Sequence, residues 1–252
     1  MTLPVLDKTS ALFLDLDGTL LEIAATPELV VVPAGLPALL SRLHTLLEGA
    51  LAIVTGRPLA VVDSLLAPFS ASAAGEHGVL LRYDDGTIEE MPAGVAVPEA
   101  WRTSLATAAE RWPGVLIEPK SHGCAVHYRL APERGSDVWR MMRALVAEDH
   151  PWFRLIPAHE AVEIGPRAAS KGHAVERLMA HAPFAGRHPI FIGDDFTDEA
   201  GMNAARSLGG QGLRVAEFFG GDPAVVRAWL KRGADLLDDR QAPGRVSMRL
   251  SR

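Results

Sequence analysis

Ala11-Leu-Phe-Leu-Asp-Leu-Asp-Gly-Thr-Leu20 is the stretch whose reading decides the fold. Leu12, Phe13 and Leu14 form an apolar run too short for a helix and suited to a buried strand. Asp15 and Asp17 follow at once, with Gly18 and Thr19 behind them. Two carboxylates at the end of so apolar a strand repel each other unless a cation or a proton relieves them. One reading is an acidic turn. The other is a divalent metal site, where Gly18 turns the backbone so that N–H groups and the Thr19 hydroxyl receive a phosphate.

Two more apolar runs end in polar motifs. Leu51-Ala-Ile-Val54 leads into Thr55-Gly56-Arg57, and Pro189-Ile-Phe-Ile192 leads into Gly193-Asp194-Asp195. Leu36, Leu39, Leu40, Leu43, Leu46 and Leu47 recur at helical spacing over 33–48, with Gly49 where a C-terminal cap belongs. Pro58 suits the first turn of a second helix carrying Leu59, Val62, Leu65 and Leu66. Strands alternating with helices on short connections predict an α/β fold with a parallel sheet covered on both faces. Ligands bind such sheets at the carboxyl ends of the strands, and all three motifs fall there.

The middle of the chain reads differently. Residues 72–76 and 79–83 predict strands around Glu76-His77-Gly78, and Asp84-Asp85-Gly86 predicts a turn. Pro92, Gly94 and Pro98 mark a linker. From about 98 to 164 the pattern is helix, two strands, helix, two strands, with Ser136 or Asp137 placed to cap the second helix. This is an inserted α+β unit, so the expected division is 1–96 and 165–252 as one domain and 97–164 as the other. Ser170 is placed to cap a helix carrying Lys171. Another helix is expected from Thr197, a last strand at Val215, and a final helix from Asp222-Pro223. The tail from about Gly233 is expected to be poorly ordered.

Composition narrows the function classes. The 252 residues are 48% hydrophobic and 22% charged, ordinary for a globular protein. A formal charge of -6 without a Lys/Arg stripe argues against a nucleic-acid partner. There is no leader-like N-terminus and no apolar run of membrane-spanning length, so a cytoplasmic protein is expected. Cys124 is the single cysteine, which precludes an internal disulfide.

Asp15-Leu-Asp-Gly-Thr19 resembles the first motif of the haloacid dehalogenase-like phosphatases, and the later strand ends carry matching pieces. The resemblance implies a Rossmann-like core with a cap, and a magnesium ion as cofactor. It further implies Asp15 as nucleophile, Asp17 as general acid and base, Thr55 as a phosphate-holding hydroxyl and Lys171 as the charge-neutralising cation. Asp15, Asp194 and the Asp17 carbonyl would hold the metal, Asp195 would lie in its outer surroundings, and Asp198 would orient Lys171.

Six pieces narrow the resemblance to trehalose-6-phosphate phosphatases. They are Thr55-Gly56-Arg57, Glu76-His77-Gly78, Glu118-Pro-Lys120, His127-Tyr128-Arg129, Glu163 before Lys171-Gly172, and Gly193-Asp-Asp-Phe-Thr-Asp-Glu199. What this implies is hydrolysis of trehalose 6-phosphate, with a trehalose-phosphate synthase as candidate partner of a monomer. Substrate contacts would come from Gly18, Thr19, Gly56, Arg57, Glu118, Lys120, Arg129 and Glu163, with His77 behind them. Glu118 and Lys120, two apart, project from one strand face. A surface ion pair is the alternative for these cap residues. At the level of activity, the alternatives are another sugar phosphatase (sucrose phosphate or mannosylphosphoglycerate), a catalytically silent sugar-phosphate-binding subunit, and a phosphotransferase.

Overall fold

The computed structural model describes residues 2–90 and 96–241. Pro92 and Gly94 of the expected linker, and the end of the chain from 242, lie outside them. The chain opens with β1 (Ser10–Leu14), α1 (Leu36–Leu46), β2 (Leu51–Val54), α2 (Leu59–Leu66) and β3 (Ser72–Gly75). A 3-10 turn at Glu76–Gly78 leads into β4 (Leu80–Arg82) and β5 (Ile88–Glu90). Then come α3 (Glu99–Arg111), β6 (Leu116–Pro119), β7 (Cys124–His127), α4 (Gly135–Leu145), β8 (Phe153–Ala158) and β9 (Ala161–Pro166). The chain finishes with α5 (Lys171–Met179), β10 (His188–Gly193), α6 (Asp198–Ser207), β11 (Gln211–Arg214), α7 (Val215–Phe218) and α8 (Pro223–Gln241).

Two sheets result. The larger has the order β11-β10-β1-β2-β3-β4-β5, parallel from β11 to β3 and antiparallel at β4 and β5. Its central strands are unbroken apolar runs because helices cover both faces: every residue of β1 and β2 is buried. Leu14 is level with Ile192 on one side and Ile53 on the other, so β10, β1 and β2 end side by side. The chain winds outward in opposite directions from β1, which opens a crevice at those ends.

The smaller sheet is antiparallel, in the order β6-β7-β9-β8. Its side chains alternate. Val126, Val162 and Ile164 face α3 and α4 in a core with Leu105, Val138 and Met142. Glu118, Ala125 and Glu163 are successive cross-strand partners and lie on the opposite face. The expected α/β architecture with an α+β unit between its halves is the one observed.

Three local expectations need correction. Val215 is not in the last strand but starts α7, one residue after β11. Neither Ser136 nor Asp137 caps α4: the helix continues from a 3-10 turn, and Asp137 pairs with Arg134 and Arg140 instead. Residues 233–241 belong to a nineteen-residue helix. Ala234 and Leu237 are buried in the main core, and a Cβ on Gly233 would come within 2.6 Å of Leu6, so glycine permits the close approach.

Candidate active site

β1, β2 and β10 deliver their C-terminal residues to one cleft, and the polar face of the smaller sheet forms its far wall. Asp15 leaves β1 with its amide on the Ile192 carbonyl at 3.0 Å and is 4% exposed. Lys171 comes from the first turn of α5, which Ser170 caps by accepting the Gly172 N–H at 3.1 Å. The Lys171 Nζ donates to Asp15 Oδ1 at 2.7 Å and to Asp198 Oδ1 at 2.6 Å. The other oxygen of Asp198 accepts the N–H groups of Asp194 and Asp195 at 3.0 and 3.1 Å. Asp198 is therefore a fully buried brace that fixes both Lys171 and the loop after β10.

Charge is crowded here. Burial and Asp198 push the Asp15 carboxyl well above the usual carboxylate range, against the pull of Lys171. Burial, Asp198 and Asp195 push Asp194 up to about 7. Burial also works against the Lys171 charge, but Asp15 and Asp198 more than offset it and raise that ammonium. Oxygens of Asp15, Asp194 and Asp198 lie within 4.8 Å of one another, an arrangement that suits a divalent cation. With the oxygens of Asp198 already engaged, Asp15 and Asp194 are the side chains left to hold it. Gly18, at φ +77°, makes room for them: a Cβ there would come within 2.1 Å of Asp194 Oδ2.

Asp17 faces elsewhere. Its two oxygens accept from Arg57 Nε at 2.6 Å and Nη2 at 2.7 Å. That bidentate pair spans the loops after β1 and β2 and lines the cleft beside Thr55. Thr55 is 1% exposed, and its hydroxyl accepts the Arg57 N–H at 3.2 Å. Asp195 also lines the cleft, accepting from the Thr197 N–H and hydroxyl at 2.7 Å each.

On the far wall, Lys120 and Glu163 form a buried ion pair that His77 joins, its Nε2 3.2 Å from Glu163 Oε2. Burial acts to raise the Glu163 carboxyl, but Lys120 and His77 override it and hold the group at about 2. Glu118 is 2.9 Å from His127 Nε2. Arg129 ties the smaller sheet to the loop after β1 by donating to the Ala24 carbonyl, and it also donates to Glu160 and to His159 O.

Asp15, Asp17, Thr55, Gly56, Arg57, Lys171, Asp194 and Asp195 thus share one cleft with His77, Glu118, Lys120, Arg129 and Glu163. Asp198 lies directly behind it. Gly18 and Thr19 are not in its wall: the Gly18 N–H donates to Leu21 O, and Thr19 is fully buried. Two participants went unread as site residues. His127 holds Glu118, and Glu76 accepts backbone N–H groups of the smaller sheet's first turn. Alternating polar residues on a strand look alike whether or not they hold a neighbour, and a three-residue motif carries no sign of a contact 45 residues away.

A family model described as trehalose-phosphatase matches residues 13–222. A probable trehalose-phosphate phosphatase of Sinorhizobium fredii is 44% identical over 205 residues, covering 81% of this chain and 77% of that one. The trehalose-6-phosphate phosphatase of Escherichia coli is 36% identical over 230 residues, covering 91% and 84%. Among solved structures, the C-terminal domain of a Candida albicans trehalose-6-phosphate phosphatase superposes with a TM-score of 0.75 at 20% identity, covering 90% of this chain and 92% of that one. The fold it shares is the haloacid dehalogenase-like core with its antiparallel second sheet. With a match across most of its length, and the polar motifs of all three strand ends gathered in one cleft, the chain belongs to the trehalose-phosphatase family.

Proposed function

We propose that this chain hydrolyses trehalose 6-phosphate to trehalose and inorganic phosphate through an aspartyl-phosphate on Asp15. The observation that carries the reading is the Lys171–Asp15–Asp194 cluster facing the Glu118, Lys120 and Glu163 wall across one cleft. Residues 1–96 and 165–252 act as the catalytic core and 97–164 as the cap. The names of the relatives and the cleft-lining Glu118, Lys120 and Glu163 support the substrate. Several hydroxyls with no further charge match a wall of acceptors and donors.

In the first step an oxygen of Asp15 attacks phosphorus and the bond from phosphorus to the sugar oxygen breaks. Asp17, protonated once it has turned from Arg57 toward the cleft, gives that proton to the departing oxygen. Water then attacks the phosphorylated Asp15, Asp17 takes its proton, and phosphate leaves. Lys171 neutralises charge on Asp15 and on the transferring group throughout. A magnesium ion held by Asp15, Asp194 and the Asp17 carbonyl would screen the repulsion between carboxylate and phosphate. Thr55 and Arg57 are placed to hold phosphoryl oxygens or the ester oxygen beside them.

No described helix is long and apolar enough to cross a membrane. A cytoplasmic monomer, with a trehalose-phosphate synthase as its candidate partner, belongs to the same proposal. The test is a panel of phosphorylated sugars with and without magnesium. Magnesium-dependent release of phosphate with a clear preference for trehalose 6-phosphate is expected. A preference for sucrose phosphate or mannosylphosphoglycerate would replace the substrate and keep the chemistry. Absence of turnover on every ester would end the enzymatic reading.

A further inference from the structure

The turn at Glu76–Gly78 is a tightly constrained segment beside the cleft. Glu76 and His77 both adopt left-handed backbone, at φ +48° and +57°, although neither is glycine. Such conformations persist where the surroundings over-determine them. Here the surroundings are explicit: the Glu76 N–H donates to Arg57 O at 3.1 Å, and the His77 N–H donates to Thr55 O at 3.0 Å. The backbone of the turn is thereby fixed to the two residues that flank the phosphate side of the cleft.

Its side chains reach the other way. The Glu76 carboxylate, 3% exposed, accepts the Ser121 N–H at 3.1 Å on Oε1 and the His122 N–H at 3.0 Å on Oε2. Those two amides belong to the turn joining β6 to β7, directly after Lys120. His77 reaches Glu163, the partner of Lys120. Two adjacent residues of the larger sheet's turn therefore act on the buried Lys120–Glu163 pair, Glu76 by holding the two amides that follow Lys120 and His77 by meeting the Glu163 carboxylate.

We propose that Glu76 is a positioning residue for sugar recognition: by holding the 121–122 turn it sets Lys120 and Glu163 at a fixed height above Asp15 and Lys171. Glu76 itself does not touch substrate. A carboxylate with both oxygens on backbone N–H groups is a strong, directional joint, and no other acceptor reaches those two amides among the described residues. Losing it frees the β6–β7 turn while leaving the phosphate chemistry of Asp15, Lys171 and Asp194 where it is. The sugar half of this inference rests on the function proposed above.

The experiment compares wild type with Glu76→Ala and the isosteric Glu76→Gln, which keeps one acceptor oxygen and presents an N–H group to the other donor. Two readouts are taken: kinetics on trehalose 6-phosphate and on p-nitrophenyl phosphate, and amide hydrogen exchange over 116–127. We expect KM for trehalose 6-phosphate to rise about 10- to 100-fold in the alanine variant, the range for losing hydrogen bonds to a charged group. The glutamine variant should fall between, p-nitrophenyl phosphate turnover should change far less, and exchange at Ser121 and His122 should accelerate. Parallel losses on both esters, or protection of those amides equal to wild type, would overturn the proposal. If wild type prefers another sugar phosphate, the substrate reading fails before any variant is made. The same comparison then runs on that preferred ester, with the exchange readout unaffected. Should the alanine variant not fold, the glutamine variant decides.

Discussion

Arg57 holds Asp17 by both carboxylate oxygens, at 2.6 and 2.7 Å. An acid clamped in this way is not yet aimed at a leaving group, so proton donation requires the clamp to open. The leaving sugar alkoxide needs that proton, whereas p-nitrophenolate does not. Asp17→Asn should therefore reduce kcat on trehalose 6-phosphate by about 10²- to 10⁴-fold, the usual worth of a positioned acid or base. On p-nitrophenyl phosphate the same variant should release a burst of nitrophenolate, one per enzyme, because hydrolysis of the phosphorylated Asp15 has lost its base. Stopped-flow absorbance checks this, and a linear trace with no burst would remove Asp17 from the second step.

Asp15 shares its surroundings with Asp194 and Asp198, and burial together with the repulsion among these acids raises both Asp15 and Asp194. Asp15→Asn should abolish turnover while leaving the melting temperature unchanged or higher, since one source of repulsion is gone. Magnesium titrated into wild type should raise the melting temperature through mass action, and Asp194→Ala should lose that rise. Differential scanning calorimetry measures both. An equal rise in the Asp194 variant would move the ion elsewhere.

Glu118 and Lys120 sit on one face of β6, and Glu118 is held by His127. Glu118→Ala should cost trehalose 6-phosphate about 10- to 100-fold in kcat/KM, the worth of hydrogen bonds to a charged group. Hydrolysis of p-nitrophenyl phosphate should be nearly unchanged. Equal losses on both would show that Glu118 makes no sugar contact.

Acid should act through Glu163. Its carboxyl is held at about 2 in the folded chain against an ordinary value of 4.5. A depressed folded value means the Lys120 and His77 contacts stabilise fully above about pH 4.5 and are lost as pH falls toward about 2. Between pH 5 and 3, in round numbers, wild type should therefore lose more melting temperature than Glu163→Gln, which has no proton to gain. Identical slopes would mean that the pair contributes nothing to stability.

Leu237 is 1% exposed, in the part of α8 where the sequence reads as a polar tail. Leu237→Ala should destabilise the fold by about 2–5 kcal/mol, as for other buried leucines. Urea denaturation monitored by tryptophan fluorescence measures the loss.

The core was legible because each signal there is local and redundant. Leu12–Leu14, Leu51–Val54 and Ile190–Ile192 read as buried strands, and the polar motifs that follow them read as a site. Ser170 could be assigned as a cap from its place before Lys171, and the structure bears this out. The misreadings have physical causes. Val215 is a β-branched residue of the kind that favours strands, yet it is the first residue of α7, directly after the extended Arg214. Residues 233–241 carry so many charges that the stripe of Ala234 and Leu237 on the buried side was masked. Longer-range joints such as Arg57–Asp17 and Glu76 on the 121–122 turn depend on loop geometry, which no residue pattern encodes.

The cleft has two authors. β1, β10 and α5 supply the carboxylates and the ammonium and the end of β2 supplies Thr55 and Arg57, while β6, β7 and β9 supply the opposite wall, with His77 reaching across. Alternation on a strand means that Glu118, Ala125 and Glu163 can be exchanged without disturbing Val126, Val162 or Ile164 beneath them. A descendant of this chain could thus acquire a different ester by point changes on three strands, inheriting its bond-breaking apparatus intact.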